Sequence, residues 1–188
     1  MKNEFPTNDL QIIKLSKTYF NLLKEFDCGI KDLNDFLVDD SFNQMSENVN
    51  ITYIWISKKQ KRIVGYITIC NDSIHLSGNK KEEMKKIGIS YKALPALKIC
   101  RMAVGIDFAN QGVGSKMILF TIDLINKINR FSACRFLTLE AKNDTFLPKS
   151  KKPIHFYKKL DFKITKERWE KSSYIPMYRD LHHLIQIN

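Results

Sequence analysis

Short apolar runs alternate with polar residues along most of the chain and predict a series of strands. β-Branched and aromatic residues fill 51–56 and 62–69, and the polar residues 58–61 between them are typical of a hairpin turn. Comparable apolar runs predict further strands at 10–15, 97–104, 135–141, 162–164 and 174–179.

Apolar residues at helical spacing predict three helices. The longest covers 113–129 and carries one apolar face, made of Val113, Met117, Phe120, Leu124 and Ile128. Shorter helices are predicted at about 30–40 and at 153–160, while the polar residues 71–92 should form a long loop or a short helix. Strands and helices in this order predict an α/β domain with a mixed sheet.

A short loop with two glycines joins the strand at 97–104 to the long helix. At Gly112 and Gly114 no Cβ obstructs the backbone N–H groups of the helix start, an arrangement that binds phosphate. No lysine of the Gly-Lys-Ser/Thr type follows, which excludes the phosphate loop of nucleotide-hydrolysing enzymes. The loop therefore predicts a cofactor that carries a pyrophosphate.

The bulk properties indicate one folded domain over residues 1–188. The chain is 44% hydrophobic, and no apolar run approaches the roughly 20 residues of a membrane helix. The first ten residues lack a signal-peptide pattern, so we expect a cytoplasmic protein with no membrane partner. The four cysteines include no Cys-x-x-Cys pair and the four histidines are scattered, so no metal site is expected.

The net charge of +11 is unevenly distributed. Residues 142–171 hold ten basic and four acidic side chains, whereas residues 25–50 hold seven acidic side chains and one lysine. The basic segment favours an anionic partner. A solvated lysine-rich surface without a partner is the alternative interpretation.

The glycine loop and one later element resemble the GNAT acyltransferase superfamily, and the resemblance covers nearly the whole chain. In that family a loop of the form Arg/Gln-x-x-Gly-x-Gly/Ala opens a long helix and grips the pyrophosphate of coenzyme A. Gly112 and Gly114 match its glycines, and Ala109 stands at the Arg/Gln position. Residues 156–162 resemble the element Phe-Tyr-x-x-x-Gly-Phe, with Asp161 at the glycine position; aspartate tolerates a left-handed backbone better than most residues.

Two further segments resemble the GNAT toxins of toxin–antitoxin modules. They are Phe-Asp-Cys-Gly at 26–29, followed by Leu-Asn-Asp-Phe-Leu at 33–37, and the stretch 96–104 before the glycine loop. This resemblance implies acetyl-CoA as co-substrate and the α-amino group of aminoacyl-tRNA as acceptor. It also implies a small DNA-binding antitoxin as partner and a homodimer.

The resemblance also implies a fold and a set of coenzyme contacts. The fold is a mixed, mostly antiparallel sheet flanked by helices, with acetyl-CoA in the splay between the two central strands. The implied coenzyme contacts are Met102, Ala103, Val104, Ala109, Asn110, Gln111, Gly112, Val113, Gly114, Ser115 and Asn143.

Tyr157 is the candidate catalytic residue for direct transfer of an acetyl group to an amine. A phenol of pKa about 10 is protonated at neutral pH and can supply a proton to a thiolate whose thiol has a pKa near about 8.5. The residue also matches a family tyrosine with that role. A core aromatic on a helix is the alternative, although Phe156 is the better candidate for the core.

Basic side chains supply the candidate acceptor contacts. Lys149, Lys151 and Lys152 would neutralise phosphates of a tRNA, and Arg101 would lie near the cleft. Backbone N–H groups near 102–104 are candidates for stabilising the oxyanion, with ordinary sheet pairing as the alternative. Two other functions remain open: acetylation of a small amine or protein N-terminus, and a non-catalytic module that binds acyl-CoA.

Overall fold

The computed structural model describes residues 4–143, 153–165 and 172–184. The strands are β1 Leu10–Lys14, β2 Ile51–Ser57, β3 Arg62–Ile74, β4 Leu94–Val104, β5 Phe136–Lys142, β6 Lys163–Ile164 and β7 Tyr174–Asp180. They form one seven-stranded sheet in the order β1-β2-β3-β4-β5-β7-β6. The predicted α/β fold with a sheet flanked by helices is therefore confirmed.

The helices of the described residues include the three predicted ones, with changed ends, and others that were not predicted. They are α1 Phe20–Leu23, α2 Lys31–Asp35, α3 Ser41–Ser46, α4 Gly78–Lys86, α5 Val113–Ile128 and α6 Pro153–Lys158. A five-residue segment with π-helical hydrogen bonds, Phe36–Asp40, continues α2 into α3. The helix expected at about 30–40 is thus part of a longer helical run.

The strand expected at 62–69 is longer than predicted. β3 continues to Ile74, and its polar extension alternates between exposed and half-buried positions before the buried Ile74. Asp72 in this extension accepts a hydrogen bond of 2.6 Å from the hydroxyl of Thr138. The polar composition of 71–73 therefore did not indicate a strand, although Asp72 within it has a polar partner in Thr138.

The described residues divide into two compact units. The first takes its residues from Met1–Cys70 and Ile99–Thr121. In it β1 pairs with β2 and β2 with β3, both antiparallel. A core of buried residues that includes Leu37, Ile54 and Tyr66 lies against these strands.

Gly65 on β3 marks a close approach inside the first unit. A Cβ atom at this position would lie 2.3 Å from the methyl carbon of Met117 and 2.6 Å from the backbone oxygen of Ala103. Both distances are shorter than atoms tolerate, so any larger residue would force the backbone apart. Glycine at 65 thus lets β3 pass close to the end of β4 and to helix α5.

The second unit takes its residues from Asn71–Lys98 and Ile122–Asn188. There β7 pairs antiparallel with both β5 and β6. Asp180 at the end of β7 accepts two hydrogen bonds of 2.9 Å from Arg135. It also forms an ion pair of 2.9 Å with Lys80. Because Lys80 belongs to α4, this carboxylate fastens that helix to the strand.

Within the described residues, no helix has both the length and the apolar character needed to cross a bilayer. In the same ranges, no group of three or more histidine, cysteine, aspartate or glutamate side chains is placed to hold a metal ion.

Candidate active site

The glycine loop begins where β4 ends and is bent by two left-handed residues. Asn110 has a φ of 62° and Gly112 a φ of 78°. Helix α5 follows at Val113, and its first hydrogen bond joins the N–H of Lys116 to the oxygen of Gly112 at 3.2 Å. The N–H groups that precede this bond are those that a helix start leaves without an intrahelical partner.

Side-chain contacts within the loop, and with Arg62 at the start of β3, hold the loop in shape. The side-chain amide of Gln111 donates a hydrogen bond of 2.9 Å to the backbone oxygen of Asp107. The carboxylate of Asp107 pairs with Arg62 at 3.0 Å, and the Arg62 guanidinium lies 5.8 Å from the ring centre of Phe108. Gln111 therefore holds the shape of the loop, although Ala109 occupies the position of the family's Arg/Gln.

A segment near the start of the chain braces the loop from outside. The N–H of Phe5 donates to the oxygen of Gln111 at 2.9 Å, and the Phe5 ring packs edge-on against Phe108 at 5.5 Å. Lys116 in the first turn of α5 reaches the Glu4 carboxylate at 2.7 Å and the Phe5 oxygen at 3.0 Å. Together Glu4, Phe5 and Lys116 fix the loop to the helix.

Sequence reasoning missed this brace, but one signal was available. A lysine in the first turn of a helix opposes the helix dipole and needs a compensating anion. Glu4 supplies that anion, and its hydrogen bond from Lys116 lowers the pKa of the Glu4 carboxyl. The two residues stand more than a hundred positions apart, so no local pattern links them.

The segment that resembles the toxins supports the beginning of the loop. The backbone oxygen of Asp27 accepts a hydrogen bond of 2.9 Å from the N–H of Ile106, directly after β4. The N–H of Gly105 bonds the oxygen of Val64 at 2.9 Å. The resemblance at 26–29 thus marks residues that position the predicted coenzyme site.

Residues at the end of β4 alternate between the core and more accessible positions. Ala103 is buried, whereas Met102 and Val104 are half-buried. Arg101 is exposed, and its guanidinium lies 5.4 Å from the ring centre of Phe36. The structure places this predicted substrate contact on the same strand as the predicted coenzyme contacts Met102, Ala103 and Val104.

Tyr157 lies near the end of α6 in the second unit, and the turn after the helix holds it. The N–H of Phe162 bonds the oxygen of Tyr157 at 3.1 Å, and the N–H of Asp161 bonds the oxygen of Lys158 at 3.2 Å. Asp161 has a φ of 62°. This is a Schellman cap, and the rings of Tyr157 and Phe162, 5.6 Å apart, make the apolar contact that accompanies it.

The left-handed conformation expected at Asp161 is therefore confirmed, but the expected role of Phe156 is wrong. Phe156 is half-buried, and its ring packs against that of Tyr157 at 5.1 Å. Ile154 is the residue that α6 buries in the core. On so short a helix the two aromatic side chains converge instead of pointing apart.

Burial sets the protonation state of Tyr157. The residue is half-buried, and the atoms packed around its phenol disfavour the charged form, which raises the pKa of Tyr157 to about 12. The phenol therefore keeps its proton throughout the neutral and mildly alkaline range. Such a group can donate a hydrogen bond or a proton but cannot act as a base.

The remaining predicted contacts fall into two groups. Asn143 follows β5, and its side-chain amide donates a hydrogen bond of 2.9 Å to the oxygen of Ser172, while its N–H bonds the oxygen of Ser173 at 2.8 Å. The predicted acceptor contacts Lys149, Lys151 and Lys152 lie outside the described residues.

Comparisons with known proteins find matches among solved structures. No family model matches the chain, and no curated protein matches it. AtaT complexed with acetyl-methionyl-tRNAfMet superposes with a TM-score of 0.75 at 23% identity, covering 94% of this chain and 97% of that chain. A mutant of KacT superposes with a TM-score of 0.73 at 22% identity, covering 89% and 94%.

A third structure, AtaTR bound with acetyl-CoA, has a TM-score of 0.68 at 23% identity and covers 90% of this chain and 94% of that chain. The chain therefore has the GNAT-like fold of AtaT and KacT. The fold that the two sequence motifs implied is confirmed over nearly the full length of the chain.

Proposed function

We propose that the protein is an acetyl-CoA-dependent N-acetyltransferase that acetylates the α-amino group of aminoacyl-tRNA and thereby blocks translation. The glycine loop carries the proposal: Gly112, with positive φ, opens the 16-residue helix α5 in a fold shared with AtaT, which was solved with acetyl-methionyl-tRNAfMet. We propose further that residues 1–188 form one acetyltransferase domain, and that it acts in the cytoplasm, where charged tRNA occurs.

The residues of the glycine loop fit the pyrophosphate of acetyl-CoA. The N–H groups of Val113, Gly114 and Ser115 precede the first hydrogen bond of α5, and the helix dipole favours an anion there. Bound at this loop, acetyl-CoA supplies the thioester whose acetyl group is transferred. Further proposed contacts are Met102, Ala103, Val104, Ala109, Asn110, Gln111, Gly112 and Asn143.

Tyr157 is the proposed general acid. As the acceptor nitrogen bonds to the acetyl carbon, the carbon–sulfur bond breaks, and Tyr157 gives its phenol proton to the departing sulfur. Backbone N–H groups near Met102 and Val104 are proposed to stabilise the charge that grows on the carbonyl oxygen. The amine of an aminoacyl ester is already activated, so water can accept its proton.

The proposed partners follow from the same fold. Arg101, Lys149, Lys151 and Lys152 are proposed to contact the tRNA. AtaT was solved bound to the C-terminus of the antitoxin AtaR and acetyl-CoA, and the AtaT-AtaR complex was solved bound to DNA. These structures support a small DNA-binding antitoxin as partner of this chain, while homodimerisation stays a prediction.

Transfer of labelled acetyl from acetyl-CoA tests the proposal. The acceptors are a pool of aminoacylated tRNA, the same tRNA without amino acids, and free amino acids. We expect label only on the charged tRNA, and hydrolysis of the product would identify the amino acid. Reversing the charge of Lys151 and Lys152 should weaken the tRNA reaction and leave acetyl-CoA binding intact.

Two results would contradict the proposal in different ways. Label on free amines or on protein N-termini, with none on tRNA, would make the protein an acetyltransferase with another acceptor. Acetyl-CoA binding without transfer to any acceptor would leave a binding module, the alternative that Ala109 at the Arg/Gln position of the loop supports.

A further inference from the structure

The second unit contains a pocket that the proposed chemistry does not use. Helix α4 and the segment after it, residues 87–94, line a depression of about 310 Å³, counting the space open to solvent. The pocket has an apolar floor and a cationic rim.

The floor of the pocket belongs to the hydrophobic core of the second unit. Met84 and Leu94 are buried members of that core, and Leu76 and Ile89 pack against it half-buried. A rigid apolar surface of this kind suits a flat, uncharged group. It is a poor site for an inorganic anion, which would lose its water without gaining hydrogen bonds.

The rim is aromatic and positively charged. Tyr91 lines the pocket with 80% of its surface exposed, an unusual position for so large a ring. Lys81, Lys85 and Lys92 also line it. Residues 78–92 hold five lysines and two glutamates, a net charge of +3.

The ion pairs leave part of this charge unneutralised. Lys80 pairs with Glu83 and Asp180, and Lys85 pairs with Glu82, so both glutamates of the helix are engaged. Among the described residues, no acidic side chain pairs with Lys81 or Lys92. Two lysines without an acidic partner among the described residues therefore line the pocket together with Tyr91.

We propose that this pocket binds one nucleotide of an unpaired RNA segment. The base stacks on Tyr91 above the apolar floor, and the phosphates on its two sides lie against Lys81 and Lys92. Proteins that bind single strands combine stacked aromatic rings with backbone-tracking cations in this way. The choice of RNA over another polyanion rests on the proposed function, because a tRNA substrate ends in an unpaired 3′ segment.

Binding of a labelled single-stranded RNA 12-mer of mixed sequence, followed by fluorescence anisotropy, tests the pocket without acetyl-CoA. Tyr91→Ala should weaken binding about 5- to 150-fold, whereas Tyr91→Phe should retain most of the affinity. Phe131→Ala is the matched control, because that ring is 90% exposed elsewhere in the unit. Urea unfolding of each variant checks that the fold is unchanged.

The lysines are tested through salt dependence. Replacing Lys81 and Lys92 by glutamine should flatten the plot of log affinity against log salt by about 1.4, the value for two phosphates of a single strand. Lys14 and Lys24, exposed lysines of the first unit, replaced by glutamine serve as the control pair. Equal changes of the salt slope in the two double variants would overturn the proposal, because they would indicate an effect of general surface charge.

Other outcomes separate the pocket from the proposed function. If wild-type protein acetylates aminoacyl-tRNA, but Tyr91→Ala leaves both the RNA affinity and the KM for aminoacyl-tRNA unchanged, only the pocket proposal fails. If the Tyr91 and lysine effects on RNA appear but no acetyl reaches tRNA, the pocket stands and the acceptor assignment fails. If Tyr91→Ala or the Lys81 and Lys92 variant bound vesicles of anionic lipid less well than wild type but bound RNA equally well, the ligand would be a membrane. That result would overturn the assignment to RNA.

Discussion

The side chain of Asn34 closes the turn at Cys28. Its Oδ1 accepts hydrogen bonds from the Cys28 N–H at 3.0 Å and from the Cys28 thiol at 3.1 Å, and its Nδ2 donates to the Asp27 carboxylate at 2.8 Å. The turn includes Asp27, whose backbone oxygen holds Ile106 at the start of the glycine loop. One amide thus organises the segment that resembles the toxins.

Asn34→Ala should therefore destabilise the protein by about 1–3 kcal/mol, because it leaves the Cys28 N–H and the Asp27 carboxylate without this partner. Urea unfolding measures the change in the free energy of unfolding. Asn79→Ala, at an exposed position of α4, should change it by less than about 0.5 kcal/mol. Similar values for the two variants would show that the turn does not depend on Asn34.

Tyr157→Phe should lower turnover by orders of magnitude while leaving the affinity for acetyl-CoA nearly unchanged, since only the proton donor is removed. Tyr174→Phe, at an exposed tyrosine on β7, is the control. Burial raises the pKa of Tyr157 to about 12, so the phenol stays protonated well above pH 10, where an ordinary phenol ionises. Turnover that falls with a midpoint near pH 10 would argue against Tyr157 as the acid.

Gly112→Ala should weaken acetyl-CoA binding at least several-fold, because alanine resists a φ of 78° and its methyl group would lie 3.4 Å from the side chain of Glu4, which helps to hold the loop. Gly88→Ala is a matched control: Gly88 has a φ of 81° and open space around its missing Cβ. Each variant should lose about 1 kcal/mol of stability, and only Gly112→Ala should affect the coenzyme. Calorimetric titration with acetyl-CoA distinguishes the two, and equal affinities would remove Gly112 from the site.

Asp161→Gly should stabilise the protein by about 0.5–1 kcal/mol, because glycine adopts a φ of 62° without strain. The exposed contact of Asp161 with Arg179, at 3.4 Å, contributes little that would be lost. Asp161→Val should destabilise by about 1–2 kcal/mol. Thermal unfolding of the three proteins should rank them Gly, Asp, Val, and any other order would contradict the Schellman cap.

Asp180→Asn should lower stability at pH 7 by about 2 kcal/mol. Burial alone would raise the pKa of Asp180, but hydrogen bonds from Arg135 and Lys80 outweigh it and hold the pKa well below its usual range. This stabilisation is present above the unfolded value of about 3.9 and declines as the pH falls toward the folded value. The two unfolding free energies should therefore converge below about pH 4.

An exposed ion pair provides the comparison for Asp180. Asp123 pairs with Lys127 at 2.7 Å on the surface of α5. Asp123→Asn should cost no more than about 0.5 kcal/mol at pH 7, well below the cost of Asp180→Asn. A constant difference between wild type and Asp180→Asn from pH 7 to pH 3 would show that the charge of Asp180 is unimportant.

The features that were predictable from the sequence are those that depend on neighbouring residues. Apolar spacing located α5 within one residue, and the β-branched and aromatic runs at 51–56 and 62–69, separated by polar residues, located the hairpin. The glycine loop and the left-handed Asp161 follow from which residues tolerate a positive φ. These properties are local, so a single sequence contains them.

The features that could not be predicted from the sequence depend on contacts between residues far apart in the chain. The ion pairs Lys116–Glu4 and Arg62–Asp107 and the hydrogen bond from Thr138 to Asp72 form only when the chain folds. Burial of Ile154 rather than Phe156 is likewise decided by the packing around α6. For the candidate site, the backbone shape of the loop was predictable, whereas the brace that holds it was not.

The cap at Asp161 bears on how proteins of this fold are recognised. The family element that residues 156–162 resemble has glycine at that turn, whereas here Asp161 has a φ of 62° and the turn makes both hydrogen bonds of a Schellman cap. A comparison of amino-acid identities counts position 161 as a mismatch, whereas a comparison of backbone dihedral angles does not. The left-handed φ at Asp161 therefore preserves a feature of the turn that the residue type alone no longer shows.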